Sequence, residues 1–219
     1  MQLPKVPSLK LPKNSSGTMT KRTISIVTAS SIPTIASTNT WYRSETPRST
    51  FTAINIVNST SDVPATYTET WDASEGETGA VNAYVDGTIL YIAGNGSGSI
   101  ATTSSAEHMF SDTLDTDYFS NVTSINGLDL LDTSDCVRMK NMFKGCSSIN
   151  SLNLNSFNVS SVENMNRMFE NCSALTSLEI NNWNVSNLRY AYYLFSNCSS
   201  LTSLDLSNWY TTSLEEFSY

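Results

Sequence analysis

From residue 125 onward the apolar positions fall into a recurring L-x-x-L-x-L signature: Ile125-Leu128-Leu130, Ile149-Leu152-Leu154, Leu175-Leu178-Ile180 and Leu201-Leu204-Leu206. The last three residues of each signature alternate apolar and polar, as a strand with one buried face does. An aromatic follows at Phe157, Trp183 and Trp209, and apolar residues then recur at helical spacing, at Val162, Met165, Met168 and Phe169 and again at Leu188, Ala191, Leu194 and Phe195. "SSVE" from Ser160 and "TSLE" from Thr212 match the capping box that satisfies orphan amides at a helix start. The pattern predicts a strand, a turn and a helix in each unit.

The units keep a fixed step. Cys146, Cys172 and Cys198 lie 26 residues apart, as do Phe143, Phe169 and Phe195. In register the units read "KGCSSINSLNLNSFNVSSVENMNRMF", "ENCSALTSLEINNWNVSNLRYAYYLF" and the incomplete "SNCSSLTSLDLSNWYTTSLEEFSY". An earlier unit, "TSINGLDLLDTSDCVRMKNMF", fits if its turn is two residues shorter. Such self-similarity signals a solenoid. Equivalent positions of adjacent repeats then stack, so the three cysteines form one apolar rung, and Cys136 aligns with Val162, Leu188 and Leu214 as an aliphatic stand-in. Buried reduced thiols fit this better than disulfides, and no C-x-x-C cluster suggests zinc. The recurring Asn-x-Ser/Thr at Asn158, Asn171, Asn184 and Asn197 follows from the repeat and does not imply glycosylation.

Upstream, "RTISIVTAS", "TFTAINIV", "ATYTETW" and "AVNAYVDGTILYIAG" read as strands, with Asp86-Gly87 a strong hairpin signal. Gly94, Gly96 and Gly98 resemble a phosphate loop in spacing only, because no Lys-Ser/Thr and no amphipathic helix follow them; a turn is expected. Residues 1–22, with three prolines and scattered lysines, read as an extended arm. The organisation expected is therefore a basic arm over 1–22, a β-rich domain over 23–104, and a strand-turn-helix solenoid over 105–219, an α+β fold.

Charge is divided unevenly. The first fifty residues hold Lys5, Lys10, Lys13, Lys21, Arg22, Arg43 and Arg48 against Glu45 alone, although the chain as a whole carries -8. A basic arm leads an acidic body, which argues against nucleic-acid binding by the repeats. No secretory signal is expected in the arm, and no stretch approaches the length of a membrane span. Abundant Ser, Thr and Asn with 15% charged residues suit a secreted or particle-surface protein.

Candidate chemistry is sparse. His108 is the one histidine and precedes Met109-Phe110, an echo of the repeats' Met-Phe pair, so a structural place in the first turn is expected. Asp112, Asp115 and Asp117 lack the spacing and glycine of a calcium loop and read as a solvated acidic loop. No enzyme, cofactor or metal site is expected.

The run "SINGLDLLDTSDCVRMKNMFKGCSSINSLNLNSFNVSSVENMNRMFENCSALTSLEI" resembles the BspA-like leucine-rich repeats, and "TWDASEGETGAVNAYVDGTILYIAGNG" is similar to their β-rich lead-in. The resemblance implies a non-enzymatic surface protein used in adhesion or host contact. The expected function is an attachment component on a phage-like virion surface, with Lys5, Lys10, Lys13, Lys21 and Arg22 anchoring the arm to a protein partner within a larger assembly. The alternative is a bacterial cell-surface or extracellular adhesin that binds a host protein or glycan. Two surfaces are candidates: the outward strand residues, Asn153, Glu179 and Asp205 among them, and an aromatic-basic patch of Arg189, Tyr190 and Tyr193 facing away from the apolar stripe of the third helix. An uncapped last repeat invites a covering partner, and a homo-oligomer is left open.

Overall fold

The computed structural model describes residues 19–20, 34–36, 41–111 and 116–218. The anchor residues Lys5, Lys10, Lys13, Lys21 and Arg22 lie outside the described residues, as do Asp112 and Asp115. In chain order the first strands are β1 (Met19–Thr20), β2 (Ala53–Val57), β3 (Thr66–Tyr67), β4 (Glu69–Asp72), β5 (Asn82–Asp86), β6 (Ile89–Ala93) and β7 (Ile100–Ala101). They continue as β8 (Ser124–Asn126), β9 (Leu131–Asp132), β10 (Ser151–Asn153), β11 (Ser177–Glu179), β12 (Tyr190–Tyr192) and β13 (Glu216–Ser218).

The lead-in forms a five-stranded sheet in the order β4-β5-β6-β2-β8. Its first three strands are antiparallel, and β6–β2 and β2–β8 are parallel. Period-two alternation sends Ile54, Ile56, Leu90 and Ile92 into the core. The expected hairpin forms between β5 and β6, with Gly87-Thr88 as the two loop residues and Gly87 at φ +59°, a conformation that only glycine adopts cheaply. The Gly94–Gly98 turn is held by Asn58, whose carbonyl accepts from Gly96 N–H and whose Oδ1 accepts from Gly98 N–H.

The downstream half is a stack of coils with no α-helix among its described residues, so the expected strand-turn-helix repeat and the α+β class are overturned. Among the described residues the helical elements are four single-turn 3-10 segments, at Arg48–Thr50, Thr60–Asp62, Glu75–Glu77 and Leu128–Leu130. The hydrogen bonds explain why. In the stretch expected to be helix, Met165, Arg167, Phe169 and Asn171 donate their N–H groups to Tyr190, Tyr192, Leu194 and Ser196 of the next coil. The residues that alternate with them, Met168, Glu170 and Cys172, close turns onto the carbonyls three residues back. A chain that alternates inter-coil bonds with three-residue turns spaces its apolar residues as a helix does without forming one. The capping-box sequence at Ser160 accordingly makes an Asx turn, with Ser160 N–H on Asn158 Oδ1 at 3.1 Å, while Glu163 N–H bonds back to Val137.

Left-handed positions at two recurring places in the coils reverse the chain. One precedes the Met-Phe or Leu-Phe pair, at His108, Asn141, Arg167 and Tyr193; the other precedes the cysteine, at Gly145, Asn171 and Asn197. Asparagine tolerates this backbone better than most residues, which accounts for the recurring Asn-Cys-Ser.

Inside the coils the 26-residue step is a packing unit. Phe110, Phe143, Phe169 and Phe195 stack face to face, with centroids 5.2, 5.7 and 5.7 Å apart in succession. The thiols of Cys146, Cys172 and Cys198 are free, and each donates to the carbonyl of Phe110, Phe143 or Phe169 one coil back, at 3.3, 3.2 and 3.1 Å. Cys136 is fully buried in the aliphatic position its alignment assigned, beside Val162 and Leu188 in kind. One continuous apolar core runs from Ile35 in the lead-in to Cys198 in the coils.

Candidate functional site

Two outer surfaces of the coil stack carry the expected binding residues. On the strand surface, β10 and β11 pair in parallel with Asn153 opposite Glu179, and Leu152 and Leu178 between them point inward. Ser203–Asp205, the matching triplet of the next unit, forms no strand. Asn153 and Asp205 each close a local turn: Asn153 Oδ1 accepts from Asn155 N–H at 3.1 Å and Asp205 Oδ1 from Ser207 N–H at 2.9 Å. The Ser207 hydroxyl and amide hold the Asp205 carboxyl below the usual carboxylate range. Asn155 Nδ2 reaches the exposed Glu179 at 3.4 Å.

The second surface lies over β12. The expected third helix does not form, yet Arg189, Tyr190 and Tyr193 still reach the outside, Arg189 exposed and both tyrosines half-buried. β12 pairs in parallel with β13, and Arg189 lies between two coils, bonding Glu215 through Nε at 2.8 Å and reaching Glu163 at 4.0 Å. Hydrogen bonds from Arg189 and then from Tyr190 hold the Glu215 carboxyl below its ordinary value. The Arg189 guanidinium lies 5.6 Å from the Tyr190 ring centroid.

Two residues that the sequence did not single out complete this patch. Arg167 lies 5.0 Å from the Tyr193 ring centroid and 5.9 Å from that of Tyr192, and the two tyrosines meet edge to face at 3.9 Å. Glu170 holds Arg167 in place at 3.4 Å and also pairs with the buried Lys144 at 3.3 Å. The signal for Arg167 was present in the register, since it is the residue one 26-step before Tyr193. The arrangement is a row of rings and guanidinium planes with acidic groups at its edges, suited to stacking and hydrogen bonding with a ligand.

The residues considered for chemistry have other duties. His108 occupies the first left-handed turn position, as a structural place predicts, with Nδ1 3.2 Å from Ser111 Oγ and Nε2 3.1 Å from Asn141 Nδ2. Burial pushes the thiols of Cys146 and Cys198 up to about 12 and about 11, and that of Cys172 well above its ordinary value. Asp117 is not a solvated loop carboxylate: it accepts the Arg48 and Ser49 backbone N–H groups at 2.8 and 3.3 Å, at the start of the Arg48–Thr50 turn. Arg48, counted among the basic residues of the first fifty, is buried with its guanidinium 4.1 Å from the Tyr42 ring centroid. No helix among the described residues is long and apolar enough to cross a membrane.

The coil stack coincides with a known sequence family. Residues 103–219, more than half of the chain, match the family described as Mycoplasma protein of unknown function, DUF285. The chain belongs to this family. The DUF285 match begins where the coils do, next to Thr102, whose N–H donates to Asp132, and Ser105, which bridges to Arg138. No curated protein and no solved structure matches the chain.

Proposed function

We propose that this DUF285 protein is a non-enzymatic attachment protein displayed at a surface, and that it binds a protein or glycan through Arg167, Arg189, Tyr190, Tyr192 and Tyr193. The observation that carries the reading is the backbone of Tyr193. Its φ is +55°, in the left-handed region, where the equivalent places in earlier coils hold His108, Asn141 and Arg167; His and Asn are enriched there, and the two exceptions, Arg167 and Tyr193, both belong to the patch. A bulky ring in this conformation costs on the order of 1–2 kcal/mol, and strain of this kind collects at functional positions. An aromatic kept where asparagine folds better serves contact with something outside the chain.

The setting proposed is a phage-like virion, with the basic arm (Lys5, Lys10, Lys13, Lys21, Arg22) docked on a protein partner and the coils displayed outward, which fits the resemblance to BspA-like surface proteins. A second setting, a bacterial cell surface, is favoured by the family description as a Mycoplasma protein. Immunogold labelling of purified particles and of intact cells distinguishes the two. The binding role is tested by saturable binding of the full chain to immobilised host-surface proteins and glycans. Loss of binding in Y190S/Y193S with an unchanged circular dichroism spectrum supports the reading, and unchanged binding overturns it.

A further inference from the structure

The join between the lead-in sheet and the coil stack leaves a cleft of about 570 Å³, lined by Thr123–Asp129 on one side and by Ser151–Asn153 and Ser156 on the other. Its walls are strand edges. Thr123 N–H donates to Thr52, so Thr123 and Ile125 direct their backbone groups toward β2, and the alternation of a parallel ladder turns those of Ser124 and Asn126 toward the cleft. On the far side, Asn150 accepts from Thr176 and Leu154 donates to Glu179, so positions 150, 152 and 154 face β11, and Ser151 and Asn153 turn their N–H and C=O groups toward the cleft. All the flanking pairs are parallel, β2 with β8 and β10 with β11. In place of a strand pairing across this gap, the shorter first unit makes the Leu128–Leu130 turn.

We propose that this cleft is a strand-docking slot, and that it takes an extended peptide segment of a different protein, parallel to β8 and β10 and bonded to both edges at once. The inner side of the cleft holds buried Ile125, Leu128 and Leu152, and the outer side holds Ser124, Asn126, Ser151 and Asn153. A matching segment alternates aliphatic residues inward with small polar residues outward. The exposed Asp129 at the rim favours a lysine or arginine among the outward residues. The three-residue edges match about three to five residues of extended chain, and the occupied slot places its walls about 9.6 Å apart, two ladder spacings. Both edges are only three residues long, a length that limits indiscriminate pairing and leaves room for a specific partner.

The probe is a fluorescent acetyl-TKLTLKT-amide peptide titrated into the full chain, beside the same peptide N-methylated at alternate amides. Saturable binding is expected in the micromolar to millimolar range, with at least about a tenfold loss on N-methylation because the edge carbonyls lose their donors. Asp129→Asn should weaken binding about two- to fivefold, the scale of one exposed ion pair, and leave the unfolding midpoint unchanged. Asn153→Pro removes one edge donor and should abolish binding; where it fails to fold, the N-methylated peptide supplies the same test with the native chain. Y190S/Y193S should bind the peptide normally. Equal affinity for the methylated peptide, no saturation at millimolar concentration, or a dimer in sedimentation that the peptide leaves intact each overturns the proposal, the last by making a second copy the occupant.

Discussion

The thiol of Cys172 donates to the carbonyl oxygen of Phe143, 3.2 Å away and one coil back. The cysteine fills a rung and also satisfies a buried acceptor, two contributions that substitutions can separate. Cys172→Ala removes both, leaving a small void and an orphaned carbonyl, and should lower stability by about 2–3 kcal/mol in urea unfolding. Cys172→Ser retains a donor and should cost clearly less. Equal losses for the two variants would reduce the thiol to a filler.

The same burial makes the fold sensitive to alkali. Cys146 has its thiol raised from 9.0 to about 12 by desolvation, Cys198 to about 11, and Tyr42 and Tyr84 have their hydroxyls raised from 10.0 to about 12. In each case the folded chain holds its proton more tightly than the unfolded chain. The sign follows: stability is fully present below about pH 9 and is lost as the pH rises toward 12, because ionisation favours the unfolded state throughout that window. Urea midpoints measured from about pH 8 to about pH 11 should fall with increasing steepness, and Cys146→Ala should flatten the fall. In neutral solution the thiols should resist iodoacetamide until the chain is unfolded.

Gly127 joins the two halves. It has φ +76°, and a Cβ there would lie 2.0 Å from the Ile56 carbonyl oxygen, inside any real contact distance and against backbone that cannot swing away. Gly127→Ala therefore combines left-handed strain of about 1–2 kcal/mol with a clash that must push β8 off β2. A loss above about 2 kcal/mol is expected, together with faster amide exchange in Ser124–Asn126 than in Ser177–Glu179. A uniform change in exchange across both sheets would argue against a local opening at the join.

Phe169 lies between two stacked rings, Phe143 and Phe195, at interplanar angles of 3° and 6°. Phe169→Ala opens a void in the middle of the ladder and should cost about 3–5 kcal/mol, whereas Phe195→Ala, at a half-buried rung, should cost less. Comparable losses at the two positions would show that the ladder is not stabilised by burial of each ring.

What could be read from the chain and what could not divides along the repeat. Residues that recur every 26 positions and stack on themselves were legible: the Cys146, Cys172 and Cys198 rung, the phenylalanine ladder, and inward Leu152 and Leu178. The helix was misread because Met165, Met168 and Phe169 have the same spacing in a chain of three-residue turns as in a helix, and the deciding hydrogen bonds run to residues about 25 positions away. The patch was half legible: the apolar stripe left Arg189, Tyr190 and Tyr193 outside, while Arg167 and Tyr192 were not singled out, because only the inter-coil register places Arg167 beside the tyrosines. The cleft between β8 and β10 was not legible: the signature Ile125-Leu128-Leu130 has the same spacing as its neighbours, and the open edge of β8 depends on where β2 lies, which no local pattern states.

The placement of Tyr193 sets folding against contact, and the two can be measured in one variant. Asparagine adopts the left-handed backbone more readily than tyrosine, as Asn141 does at the equivalent place two coils earlier with φ +60°. Tyr193→Asn relieves backbone strain of about 1 kcal/mol but gives up the ring's contacts with Tyr192 and Arg167, each of order 0.5–1 kcal/mol at a half-exposed site. The two effects nearly cancel, so the unfolding midpoint should move by less than about 1 kcal/mol in either direction. Ligand binding should respond differently: loss of the ring and of the Arg167 platform should weaken it by about tenfold or more, the scale of an aromatic anchor. A variant that folds as well as the parent and binds poorly shows that the ring is retained for contact. If Tyr193→Asn unfolds readily, the ring is a packing element and the patch loses the observation that singled it out.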